Sequence, residues 1–213
     1  MDTTAFVLAN TQLLPVPLVP ELRLHCADEA IGLWERTEQE SGHEQLAPPF
    51  WAFPWAGGQA LARHVLDNPE IVAGKRVFDL AAGSGLVAIA ASKAGAREVT
   101  ANDIDPLSAA AITVNAGAND VRVTTEEGDV LDGDADGADV VLAGDVFYDR
   151  HMAERVLPFV LRAAARGALV LVGDPQRAHL PRERFTVVAT YDVPVPLALE
   201  STEIRRTTVW RPA

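Results

Sequence analysis

The stretch VFDLAAGSGLVAIA, residues 77–90, constrains this chain more than any other. An apolar run carrying Asp79 gives way to a turn of small residues with Gly83 and Gly85, and then to an apolar helical pattern. A short second run, EVTANDID, follows and passes through Asp103. A strand, a close-approach glycine turn, a helix and a second strand ending on an acid form the start of an α/β sheet that prepares a nucleoside site.

The rest of the chain repeats the alternation. KRVFDL, EVTAND, VRVTTE, ADVVLAG and ALVLVGD read as strands. LVAIAASKAG, PLSAAAITVNAGA and RHMAERVLPFVLRAAA read as the helices between them. Such alternation predicts a parallel sheet with helices on both faces. FTVVATYDV and EIRRTTVW are strand-like, with only the VPVPL turn assigned between them, and are expected to form an antiparallel pair at the sheet edge. Ahead of the sheet, ELRLHCA and IGLWERTE read as a β-hairpin by their alternation, SGHEQLAPP as a loop, and QALARHVLDN as a helix stopped by Pro69. The expected fold is therefore α/β and Rossmann-like, with a seven-stranded, mostly parallel sheet. One domain covers residues 1–213: an N-terminal extension at 1–20, a hairpin and helix at 21–74, and a catalytic core at 75–213.

Composition narrows the chemistry. The net charge of −12 disfavours a nucleic-acid backbone as partner and suits a cationic ligand or a basic protein site. Cys26 is the single cysteine, so neither an internal disulfide nor a cysteine zinc site can form. The five histidines show no His-x-x-x-His spacing, so no metal is expected. The first twenty residues lack a basic region and are broken by Pro15, Pro17 and Pro20, unlike a signal peptide, and the expected location is the cytoplasm.

Asp79 decides between nucleoside cofactors. A carboxylate beside the glycine turn would repel a pyrophosphate, whereas S-adenosylmethionine carries an ammonium and a sulfonium and no phosphate. Asp103 ends the second strand, where a ribose diol would sit. Asp105 precedes Pro106 and reads as a helix cap. Asp129 is placed to accept from an adenine amino group, with Val130 and Leu131 against the ring. At the reacting end, Asp145 and Tyr148 follow the fourth strand, three residues apart. A carboxylate and a phenol there could orient an amine and stabilise the charge that forms on nitrogen. The competing assignments are a helix cap for Asp145 and core packing for Tyr148. Trp51, Phe53 and Trp55 read either as core or as an aromatic wall over the pocket. Arg177, in VGDPQRAHLP, falls at the same sheet edge.

PPFWAFPWAGGQALARHVLDNP, GKRVFDLAAGSGLVAIAASKAGA, VTANDIDPLSAAAITVNA, GDVFYD and VLVGDP together resemble the electron-transfer flavoprotein β-subunit lysine methyltransferase family, among the seven-β-strand protein-lysine methyltransferases. The resemblance spans roughly residues 20–213. It implies that Trp55, Ala81, Ala82, Gly83, Asp103 and Gly144 contact S-adenosylmethionine. It also implies that Asp145 and Tyr148 match an Asp/Glu-x-x-Tyr/Phe signature beside the target lysine, and that a flavoprotein β subunit is the protein substrate. Ala81 stands where many such enzymes have a glycine, a departure tolerable at negative φ. The alternatives are methylation of another amine, in a ribosomal protein or small molecule, and a non-catalytic nucleoside-binding module. The L11-type Asn-x-x-Ala sequence is absent after the fourth strand, where GDVFYD stands.

Overall fold

A computed structural model describes residues 1–42, 46–135, 137–196 and 202–213. The sheet has five parallel strands, β3 (Arg76–Leu80), β4 (Glu98–Asp103), β5 (Thr124–Glu127), β6 (Val140–Gly144) and β7 (Leu169–Asp174), joined by β8 (Phe185–Pro194) and β9 (Ile204–Pro212). Their order is β5-β4-β3-β6-β7-β9-β8. Both contacts of β9, to β7 and to β8, are antiparallel, so the last strand inserts between its two predecessors. Residues 197–201, within the assigned β8–β9 connection, lie outside the described residues, as do 43–45 of the SGHEQLAPP loop and 136 of the acidic loop.

Strand alternation sorts the core into two layers. Val77, Val140, Leu142, Leu171 and Val209 pack on one face with α3 (Ala56–Asp67) and α4 (Leu86–Lys93). Phe78, Val141, Ala143, Val172 and Trp210 face the other way, against Val156, Phe159 and Val160 of α6 (Arg150–Ala165). Arg162 and Arg166, one turn apart on α6, donate to carbonyls of the β5–β6 connection: Arg162 to Leu131 and Gly133, Arg166 to Asp134, Ala135 and Ala138. These bonds hold the loop that leads from Asp129 back to the sheet.

The N-terminal region corrects the sequence reading. A hairpin exists, but it is formed by β1 (Gln12–Val16) and β2 (Val19–Cys26), and IGLWERTE lies in the helix α2 (Ala30–Ser41). The buried positions of that segment are Leu33 and Thr37, four apart, which is a helical repeat. Glu29 accepts from the Gly32 N–H and caps the start, and Gly42 at φ 71° ends the helix in the left-handed region. The first residues also fold: α1 (Thr3–Asn10) places Phe6 and Val7 in a core with Trp51, Leu107 and Ala111.

The helix α5 (Pro106–Ala118) ties this N-terminal layer to the glycine turn. Buried Asn115 accepts from the His25 N–H at 2.7 Å and donates to Ser84 O at 2.9 Å. Asn119 accepts from Arg23 N–H and donates to Arg23 O, pairing with β2 as a strand would.

Candidate active site

A pocket of ≈ 460 Å³ opens at the C-terminal ends of β3, β4 and β6, a size within the range of small-ligand sites. The parallel register sets Leu80 beside Asn102 and Ala143, so all three strands end at one level. Crossing from β3 to α4 in six residues demands unusual backbone: Ala81, Gly83 and Gly85 lie at φ 52°, 52° and 78°. The Ala81 value overturns the expectation of negative φ. Its Cβ occupies a conformation that costs an L-residue about 1–2 kcal/mol. Gly85 does not line the pocket. A Cβ there would lie 3.1 Å from Ile112 of α5, so this glycine serves helix packing.

The acids meet at the turn. Asp79 is 1 % exposed, and its Oδ2 accepts from the Ala88 N–H in the first turn of α4 at 2.9 Å. Burial pushes its carboxyl up to about 8, against the pull of that hydrogen bond, and nearby Asp103 adds to the rise. Asp103 uses both oxygens on backbone: Oδ2 accepts from Gly83 at 2.8 Å and Oδ1 from Asp105 at 3.1 Å. Burial raises it as well. Asp105 caps α5 through the Leu107 N–H at 2.8 Å, with Pro106 at the first helical position, as the sequence predicts. Asn102, buried beside them, donates to Glu126 O and Gly128 O at 3.0 Å each and fixes where the next loop departs.

Asp129, Val130 and Leu131 line the pocket on this loop. The Asp129 carboxylate is gripped by both guanidinium nitrogens of Arg155 and also accepts from Leu131 N–H at 3.0 Å. Arg155, which the sequence reading did not single out, holds the carboxylate below its usual range.

At the opposite wall, Gly144 ends β6 where the first turn of α3 crosses. A Cβ on Gly144 would lie 2.9 Å from Gly58 Cα, and one on Gly57 would collide with Gly173 O and Asp145 Oδ2. Asp145 follows at φ 55°. Its Oδ2 accepts from Gly58 N–H at 3.0 Å, and Arg177 Nη2 donates to its Oδ1 at 3.2 Å. Asp145 is therefore a cap for α3, not for the following helix α6, which is capped by Asp149 through Met152 N–H at 2.9 Å. Arg177 belongs to the pocket wall with it.

The aromatic cluster divides. Trp51 is wholly buried in the N-terminal core. Phe53 and Trp55 border the pocket, and Trp55 Nε1 donates to Phe50 O at 2.8 Å. Tyr148 is 45 % exposed, so it is not core, and its ring lies 5.3 Å from that of Phe50. Phe50, Pro48 and Met152 complete this side. Trp55, Asp79, Ala81, Ala82, Gly83 and Asp103 thus share one cavity with Asp129, Val130, Gly144, Asp145 and Tyr148. Only long-range folding brings Pro48 and Met152 there, and no local motif marks them.

The residues present fit a cationic nucleoside donor. The deepest carboxylate is raised by burial and would be relieved by a positive charge, and the turn offers no basic nest for phosphate. Among the described residues no cluster could hold a metal, and no helix is long and apolar enough to cross a membrane.

Comparison with known proteins agrees with this arrangement. Residues 60–147 match the ribosomal protein L11 methyltransferase (PrmA) family model. The electron transfer flavoprotein beta subunit lysine methyltransferase of Xenopus laevis is 35% identical over 212 residues, covering 97% of this chain and 85% of that protein. The proteins of that name from Mus musculus (36% identical, 91% of this chain, 77% of that protein) and Homo sapiens (34%, 98% and 81%) are similar to the same extent. Two solved structures share the fold. One is the ribosomal protein L11 methylase of Lactobacillus delbrueckii subsp. bulgaricus, at TM-score 0.52 and 22% identity over 76% of this chain and 81% of that chain. The other is the precorrin-6y C5,15-methyltransferase of Geobacter metallireducens GS-15, at TM-score 0.55 and 16% identity over 73% and 88%.

Proposed function

The chain belongs to the electron transfer flavoprotein beta subunit lysine methyltransferase family, and we propose that its protein substrate is an electron transfer flavoprotein β subunit. The activity is S-adenosylmethionine-dependent methylation of protein lysine. The observation that carries the substrate reading is similarity sustained over nearly the whole chain, the substrate side of the pocket included. The L11 methyltransferase match is confined to residues 60–147 and supports the fold rather than a ribosomal substrate.

S-adenosylmethionine, when bound, supplies a methyl group activated on sulfonium sulfur. The chain's own residues do the rest. Asp79 offers a buried carboxylate to the ammonium of the donor, and Asp103 offers oxygen lone pairs to a ribose diol while holding the Gly83 backbone. Val130 and Leu131 give an apolar face to the base. The Phe50–Tyr148 pair forms an aromatic mouth that favours a cationic side chain. Asp145 presents negative charge where the amine becomes positive during transfer, a contribution worth most in a water-poor site.

The test incubates the purified enzyme and S-adenosylmethionine with a purified electron transfer flavoprotein β subunit from the same organism, with intact-mass and peptide mapping afterwards. Added methyl mass on lysine is expected. An unmodified subunit alongside a different labelled protein in lysate would move the substrate assignment and leave the reaction class in place.

A further inference from the structure

The strongest feature outside the cofactor wall lies at the end of β7. Asp174, its last residue, is fully buried. Its Oδ1 accepts from the Arg177 N–H at 2.7 Å, and among the described residues its Oδ2 has no hydrogen-bond partner. Gln176, between them, lies at φ 65°. This tight turn sends the Arg177 side chain back across the strand ends, where Nη2 reaches Asp145 Oδ1 at 3.2 Å. The Asp145 main chain is fixed as well, since its N–H donates to Gly173 O at 2.8 Å. With Gly58 N–H on Oδ2, this carboxylate is held from β7, from α3 and from the turn after β7.

We propose that Arg177 is a positioning residue for methyl transfer, which keeps the buried Asp145 carboxylate ionised and aimed, and that Asp174 shapes the turn that delivers it. The proposal rests on the reading of Asp145 as the anion facing the target amine.

The physical need is plain. A buried carboxylate without a counter-charge takes up a proton. Burial raises Asp145, and the charge of Arg177 is the foremost influence pulling it down, ahead of the Gly58 and Gly57 N–H groups. The other groups around it do not substitute for Arg177. The α3 side presents only backbone N–H groups. The β7 side presents Asp174, whose charge and that of Asp145 oppose one another. Its own segment adds Tyr148 and the cap Asp149. Removing Arg177 would leave Asp145 near a second acid with only a helix start to compensate. A neutral Asp145 could not stabilise positive charge on nitrogen.

The test uses the full chain with Arg177→Met and Arg177→Lys. Carbon-13 NMR titration of the aspartate carboxyls, with Asp145 assigned by its loss in Asp145→Asn, reads the effect without any substrate. Arg177→Met is expected to raise the Asp145 pKa by about one unit or more, within the range for losing an adjacent opposite charge. Arg177→Lys, which keeps the charge but not the fork, should fall between it and wild type. Single-turnover transfer to the flavoprotein subunit from pH 6 to 9 gives the second readout. The Arg177→Met deficit should be about tenfold near the acid end, one pKa unit of lost anion, and shrink as pH rises. In an Asp145→Asn background the pH-dependent part should vanish. Thermal melting and cofactor calorimetry verify that each variant is folded, and Arg177→Lys carries the titration if Arg177→Met is not. An unchanged Asp145 titration in a folded variant, or a deficit equal at every pH, overturns the role of Arg177 alone. A wild-type transfer rate in Asp145→Asn overturns the reading of Asp145 and the proposal with it.

Discussion

Ala81 is the residue at which local preference and tertiary demand collide. Its φ of 52° costs about 1–2 kcal/mol for an L-residue. Replacement by glycine relieves that strain but adds about 0.4–1 kcal/mol of unfolded-chain entropy and deletes a methyl packed on the core. Ala81→Gly is therefore expected to change stability by less than about 1 kcal/mol, whereas Ala81→Val should lose about 1–3 kcal/mol, because a β-branched residue fits this region poorly. Urea unfolding of the two variants checks both values. Asp103 makes a sharper case. Since it already accepts from Gly83 and Asp105, truncation to alanine would loosen the turn as well as the ligand site. Asp103→Asn keeps one carbonyl oxygen as acceptor and removes the charge. We expect S-adenosylmethionine affinity to drop on the order of tenfold or more with little change in melting temperature. Calorimetry showing wild-type affinity in that folded variant would take Asp103 out of the cofactor site.

Among the elements, α5 does the most to connect the site with the rest of the fold. Its start was readable: Asp105 and Pro106 mark a capped first turn, and the helix spans the sequence predicted for it. Its function as a bracket was not readable, because Asn115 reaches His25 and Ser84, ninety and thirty-one residues away. Asn115→Ala strands a buried N–H and a buried C=O, each at about 1–3 kcal/mol. Denaturant unfolding should show a loss in that range or above it, and amide exchange should quicken at His25. A loss below about 0.5 kcal/mol would mean that water replaces the side chain. The helix α2 illustrates the opposite failure. Short polar segments such as IGLWERTE carry a few apolar residues that satisfy period two nearly as well as period four. The capping Glu29 and the Gly42 terminus, which decide the matter, lie outside the segment.

For the molecule as a whole, the density of buried acid at the pocket predicts a distinctive pH response. Asp79 is raised from 3.8 to about 8 and Asp174 to about 6, both by burial. The native state then binds protons that the unfolded chain has released, so these groups stabilise the fold at low pH, and that stability is lost as pH rises toward their native values. His25 and His64 are lowered by burial and act in the opposite sense, adding stability above about 6.5 and losing it below. Between pH 6.5 and 8 the histidine contribution is complete, and Asp79 dominates. The free enzyme is expected to lose melting temperature across that window, and Asp79→Asn should flatten the slope. A cationic ligand beside Asp79 should displace its proton. Calorimetry at pH 7 in two buffers of different ionisation enthalpy should therefore register proton release on cofactor binding in wild type and none in Asp79→Asn. Equal slopes in the melting series would place the raised carboxyl elsewhere.

Sequence by itself determined the α/β class, the five parallel strands, the glycine turn with Asp79 and Asp103, and the capped start of α5. Each of these is written in short-range periodicity or in a residue whose backbone needs are local. Tertiary structure alone decided three other matters. The insertion of β9 between β7 and β8 depends on which open edge each strand finds, not on its own pattern. The close crossing of α3 over β6 and β7 needs Gly57, Gly144 and Gly173 together, and nothing at any one of them announces the other two. The partners of Asp145 come from Gly58 and Arg177, on opposite sides in sequence, and a buried charge acquires its meaning only from what surrounds it.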